Sequence, residues 1–159
     1  MGILPYERLT IETTLTVEEA QRRLAESVEP RKNIGWPLQQ RSKPFEGSIT
    51  DEHFEISRVI SYRNSFLPRI SGRIRQGSQG ATIEATLALH VVVMIFMIVW
   101  LLGVGCAALV VLSAAIGAGT FELFGLIPIG MFVFGVLLCT LGFNFEAAKA
   151  KSLLKQLFA

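Results

Sequence analysis

VVVMIFMIVWLLGVGCAALVVLSAAIGAGT (residues 91–120) and LFGLIPIGMFVFGVLLCTLGF (residues 123–143) contain no Asp, Glu, Lys or Arg. Each meets the requirement of about 20 apolar residues for crossing a hydrocarbon core of about 30 Å. The first run is 30 residues long, too long for one perpendicular helix. The spans are therefore placed at 91–113 and 123–143, with the turn in the small residues 114–119. Thr120 and Glu122 then suit an N-cap and an acidic first turn for the second span. Pro128 is expected to bend that helix near its start. Trp100 lies deeper than an interfacial anchor would; either it packs against the second span or the first span starts later.

Outward from this hairpin the chemistry changes. The chain has 159 residues, 51% hydrophobic, with mean hydropathy +0.48, too apolar for a soluble chain of that size. Before His90 there are twelve Lys and Arg against eleven Asp and Glu. That near-neutral balance excludes the basic stripe of a nucleic-acid binder. Arg69, Arg73 and Arg75 precede the first span, Lys149, Lys151 and Lys155 follow the second, and the connecting loop has no basic residue. By the distribution of basic residues both termini are cytoplasmic. Residues 1–6 show no basic region leading into an apolar core, so no signal peptide is expected. The organisation is a cytoplasmic domain over 1–89, a transmembrane hairpin over 90–143 and a basic tail over 144–159.

Small residues recur along the hairpin: Gly103 and Ala107 in the first span, Gly125, Gly130 and Gly135 in the second. In lipid, close backbone approach replaces hydrophobic drive. These positions suit closure of the hairpin on itself and packing against a partner equally. Cys106 and Cys139 lie at different depths, about 20 and 6 Å from the cytoplasmic end at 1.5 Å per residue, too far apart for a bridge. In the tail, Ala147, Ala150, Leu154 and Leu157 or Phe158 oppose Lys149, Ser152, Lys155 and Gln156. This is an amphipathic basic helix, expected to lie on the anionic leaflet, with docking onto a partner or the soluble domain as the alternative.

In the soluble part, Leu9, Ile11 and Leu15 alternate with Thr10, Glu12 and Thr14 as in a half-buried strand. Thr16 and Glu19 form a capping box for a helix whose apolar stripe is Val17, Ala20, Leu24 and Val28. Residues 31–44, with Trp36, read as a surface connection. Strands follow at 45–50, 54–62, 68–75 and 82–89, with turns at Asp51-Glu52 and at 77–80. The fold class is thus an α+β domain, β-α-β-β-β-β, with an antiparallel sheet and one helix on its apolar face, followed by the two-helix hairpin and the amphipathic helix. On the polar face, Arg58, Arg63, Arg69, Arg73 and Arg75 either meet lipid headgroups or a partner's carboxylates, or pair across strands with Glu12, Glu55 and Glu84.

Phe45 and Gly47, the run Tyr62-Arg63-Asn64-Ser65-Phe66 with Pro68 and Gly72, Gly80 with Thr82, and Leu89-His90 leading to Trp100 give the middle third of the chain a pattern. It resembles a family of small uncharacterised bacterial membrane proteins, cyanobacterial ones among them. The resemblance implies a bacterial inner or thylakoid membrane and brings no known activity. The family's usual Pro after Leu-His is Val91 here. Physically, Asn64 and Ser65 suit a turn and Pro68 an edge strand.

His53 and His90 stand 37 residues apart with no cysteine nearby in sequence, so no metal site is expected. No phosphate-cradling glycine loop is present, and no nucleophile, base and acid set suggests a catalytic centre. No cofactor is expected. Two functions remain: a non-enzymatic accessory or scaffold protein that binds another membrane protein or itself, and a membrane-anchored module holding a lipid or other hydrophobic ligand between helix and sheet.

Overall fold

The computed structural model describes residues 5–30, 43–50, 53–120 and 123–159. Strand β1 spans Tyr6–Thr13, beginning three residues before the expected alternation. Helix α1, Val17–Ser27, starts where Thr16 Oγ1 accepts the Glu19 N–H at 3.2 Å. It stops because Pro30 biases the residue before it away from helical backbone. The chain therefore straightens into a three-residue strand, β2 (Val28–Pro30), where a last helical turn was expected. Then come β3 (Phe45–Thr50), β4 (His53–Arg58), β5 (Arg69–Gln76) and β6 (Ala81–Ala88). The expected strand over 54–62 ends early, at Arg58. The turn at Asp51-Glu52 and the connection carrying Trp36 lie outside the described residues.

The strand order is β1-β6-β5-β4-β3-β2. All neighbours are antiparallel except β2 and β3, which are parallel. The sheet is thus mixed, correcting the expectation of a purely antiparallel one; three residues are too few to show a strand period in sequence. Pro68 is also reassigned. β5 is central, and Pro68 sits just before it, fully buried, where its missing N–H leaves no gap in the ladder.

Register sorts the two faces. Leu9, Ile11, Ile83, Ala85, Leu87, Ile70, Ile74, Ile56, Phe54 and Phe45 all join the apolar core, against Ala20, Leu24 and Val28 from the α1 side. The core needs a second helix, and the hairpin supplies it. Helix α2 runs Val91–Ala118, with the His90 Nδ1 accepting the Val92 N–H at 3.2 Å as its cap. The Ala-rich stretch expected to form the turn stays helical, and reversal falls at Gly119 in left-handed backbone, φ 65°, where glycine is unstrained. A short 3-10 turn, Leu123–Gly125, leads into α3, Leu126–Leu157. Gly125 caps α3 without a side-chain hydrogen bond, and Glu122 lies outside the described residues. Pro128 falls in the first turn of α3, where its N–H would have no helical partner.

Helix α3 is a single rod of 32 residues, about 48 Å at 1.5 Å per residue. Its apolar end packs along α2, and its other end crosses the sheet. Phe143, Ala147, Ala150, Leu154 and Phe158 are 0–2% exposed and belong to the same core as the strands. Their spacing of three and four is one helical stripe. The tail is therefore the second helix of the α+β domain, not a separate helix lying on a leaflet, and the one-helix expectation is corrected to two.

Candidate functional site

The outer face of the sheet is polar and forms a broad depression of about 870 Å³. One row across it reads Thr50, His53, Arg73, Glu84, Thr10; the next reads Ser48, Glu55, Ser71, Thr86, Arg8. Arg69 Nη1 lies 3.0 Å from Glu55 Oε1, and Arg73 Nε lies 2.6 Å from Glu84 Oε2. The hydrogen bond and charge of Arg73 hold the Glu84 carboxyl below its ordinary range. All four side chains are more than a third exposed, so these cross-strand pairs contribute little to stability. Arg75 is exposed and makes no ion pair among the described residues, and the same holds for Glu12. Arg8 Nε donates to the Tyr6 hydroxyl at 2.8 Å, which lowers the phenol pKa.

The tail lysines fall into two groups. Lys151 Nζ reaches Glu7 Oε1 at 2.5 Å, on the inner face, while Lys149 and Lys155 are exposed. The end of α3 is fastened by Thr13 Oγ1 donating to the Phe158 carbonyl at 2.8 Å. Arg23 Nη1 donates to the carbonyl oxygen of Ala159 at 3.1 Å.

Where the apolar run of α3 gives way to its docked half, Glu146 is 4% exposed. The Arg58 guanidinium donates to one of its carboxylate oxygens and the Tyr62 hydroxyl to the other. Burial pushes the Glu146 carboxyl up, but the hydrogen bonds from Tyr62 and Arg58 and the charge of Arg58 outweigh it and hold the pKa below its ordinary value. Arg58 Nε is buried with no acceptor among the described residues. The loop bearing Tyr62 is shaped by Asn64 Oδ1 accepting the Phe66 N–H at 2.9 Å, and Phe66 lies over Gly142 of α3. Arg58, expected on the polar face, lies on the inner one, opposite Phe45. The signal for the pairing was a lone acid at the end of a 23-residue uncharged run, 123–145, which needs a buried cation once the helix docks.

Along the hairpin the small residues separate by direction. A Cβ on Gly135 would stand 3.1 Å from Leu101 and within 3.6 Å of the Trp100 ring, and one on Gly105 would stand 3.3 Å from Phe132. These two glycines sit where α2 and α3 touch, and Trp100 packs against α3. A Cβ on Gly103 or Gly130 would meet nothing within 4 Å; Ala107 is exposed beside Gly103. Gly125 lines a groove with Val111, Ala114, Ala115 and Phe124 where the helices part.

His53 is exposed on the outer face and His90 serves as a helix cap. No group of three metal-ligating side chains occurs among the described residues. Both cysteines are free. Compared with protein-family models, with curated proteins and with solved structures, the chain matches none of them.

Proposed function

We propose that this chain is a non-enzymatic, two-pass integral membrane accessory or scaffold protein that presents its sheet domain on the cytoplasmic side to another membrane protein or to a second copy. The observation that carries the reading is the continuity of α3. One helix runs unbroken from an apolar stretch suited to the bilayer into the core of the sheet, so anchor and domain form one rigid unit. Both long helices contain an 18-residue stretch apolar enough to cross a membrane, with mean hydropathy 2.8 and 2.3 over those stretches. Leu102, Leu109, Ile116 and Phe134 are each 64–75% exposed, a surface that water does not tolerate over such a length. The basic residues flanking the spans favour cytoplasmic termini.

The alternative, a module holding a hydrophobic ligand, needs room between helices and sheet. There Leu24, Ile70, Ile83, Leu87, Ala150 and Leu154 are all 0% exposed, filled by each other, so the packing favours the scaffold. Native purification in mild detergent followed by mass spectrometry tests this. A stoichiometric protein partner or a homo-oligomer is expected; a monomer carrying a stoichiometric lipid would overturn the scaffold reading in favour of the binder.

A further inference from the structure

The two edges of the sheet are built differently. β2, at one edge, is three residues long and ends in Pro30, which has no N–H to offer. β1, at the other, is eight residues long without Pro or Gly, and among the described residues no strand pairs with its far side. The Leu89 N–H donates to the Pro5 carbonyl. In an antiparallel ladder the groups of Glu7, Leu9 and Ile11 then point to β6, and those of Tyr6, Arg8, Thr10 and Glu12 point away from the sheet. A long edge of this kind is a template for another strand.

We propose that the β1 edges of two copies of this chain pair antiparallel about a twofold axis at Thr10, joining domains anchored in two apposed membranes. The register follows from charge complementarity. In such a pair, facing residues lie on the same side of the sheet. An axis at Arg8 sets Arg8 against itself, one at Glu12 sets Glu12 against itself, and one at Leu9 sets Glu7 against Ile11. With the axis at Ile11, Arg8 and Glu12 oppose only threonines. The axis at Thr10 alone places Arg8 opposite Glu12 twice on the outer face, Leu9 opposite Ile11 twice on the inner face, and Thr10 opposite Thr10. Both charges are available to take part: among the described residues neither makes an ion pair, and Arg8 is held only by the neutral Tyr6, through its hydroxyl and its ring.

The apposed arrangement rests on the membrane reading above. Tyr6 is the bilayer end of β1, because Pro5 meets Leu89 just before α2, and Thr13 is the far end, beside Phe158. With Tyr6 beside the start of α2 and Thr13 beside the residue that follows α3, β1 runs away from the bilayer. Antiparallel pairing then points the two hairpins in opposite directions. Four residues separate Tyr6 from Thr10, about 14 Å at 3.4 Å each, so the two Tyr6 levels lie about 27 Å apart. One strand pair is a small interface, so contact depends on many copies acting together.

The test uses the full chain reconstituted into two dye-labelled populations of phosphatidylcholine vesicles, with incorporation checked by flotation and association read by two-colour coincidence. Wild-type populations are expected to associate. Arg8→Glu on both populations, or Glu12→Arg on both, is expected to lower association at least tenfold. Mixing Arg8→Glu vesicles with Glu12→Arg vesicles is expected to restore it, since both charge pairs are then complementary. In a Cys106→Ser, Cys139→Ser background, Thr10→Cys is expected to crosslink to itself through a short bismaleimide across vesicles, and the exposed Thr50→Cys is not. Protein that fails to float would overturn the membrane reading. Protein that floats without vesicle association, persistence in either single variant, no recovery on mixing, or equal crosslinking at 10 and 50 would overturn the pairing.

Discussion

Replacing Leu154 by alanine separates a helix docked in a core from a helix resting on lipid. Leu154 is 0% exposed and packed in the cluster that unites the strands with α1. Leu-to-Ala changes at such sites cost about 2–5 kcal/mol, the transfer of the lost methyl groups plus the cavity left behind. With about 3 kcal/mol, against the roughly 5–15 kcal/mol typical of a whole domain, melting should fall by roughly 12–24 °C at about 4–8 °C per kcal/mol. Lys155, one residue on, is exposed and makes no ion pair among the described residues, so Lys155→Ala should stay within about 0.5 kcal/mol of the parent. The assay is hydrogen exchange of the β5 and β6 amides on the detergent-purified chain, with thermal unfolding alongside. A leaflet-bound tail gives the opposite pattern: Leu154→Ala would leave strand protection unchanged while Lys155→Ala would weaken membrane retention. That result would refute the docking of α3.

Other consequences can be measured in the same preparation. Glu146→Gln breaks a buried ion pair and should cost about 3 kcal/mol at neutral pH. Because the folded pKa of Glu146 is depressed, its contribution is present above the unfolded value of about 4.3 and is lost as the pH falls through the folded value. The parent should therefore lose stability in acid more steeply than the variant; parallel pH profiles would contradict the assignment. Gly47→Ala should destabilise by about 1–3 kcal/mol or more, since its Cβ would stand 2.1 Å from the Glu55 carbonyl oxygen; an unchanged denaturant midpoint would count against this register. Gly135→Val should loosen α2 from α3, read as faster amide exchange in both helices. Gly103→Ala, whose Cβ meets nothing within 4 Å, should leave exchange equal or slower, alanine being the better helix former.

How far the fold was legible depended on the length of each pattern. The strands with clean two-residue alternation, around Ile70–Gly72–Ile74 and Ile83–Ala85–Leu87, were readable because their apolar side chains, Ile70, Ile74, Ile83, Ala85 and Leu87, are all buried on one face. β2 was not, since three residues after a helix look like its last turn. The apolar runs announced two long helices, but their ends were blurred: alanine favours continuing a helix as much as turning one, so the reversal moved to Gly119. The tail stripe at Ala147, Ala150 and Leu154 was visible, yet an amphipathic pattern does not say which surface it meets. The partner of Glu146 was hidden for the same reason, because Arg58 lies 88 residues away and is brought beside it only by docking of α3. The candidate surfaces were legible as residue types, and the pairing of Arg69 with Glu55 and Arg73 with Glu84 follows from register.

The continuity of α3 also sets an order of assembly. The strands of the sheet are all made before α2 and α3, yet Phe143, Ala147, Ala150, Leu154 and Phe158 close the sheet's apolar face. With the hairpin in the bilayer, those residues reach the sheet only after two crossings have been threaded in opposite directions. Until then Ile70, Ile83 and Leu87 remain open on one side, a sticky intermediate of the kind that aggregates. On the membrane reading proposed above, correct insertion is a step in folding the sheet domain, and a copy whose hairpin stalls during biogenesis would show quality-control machinery an unfinished sheet.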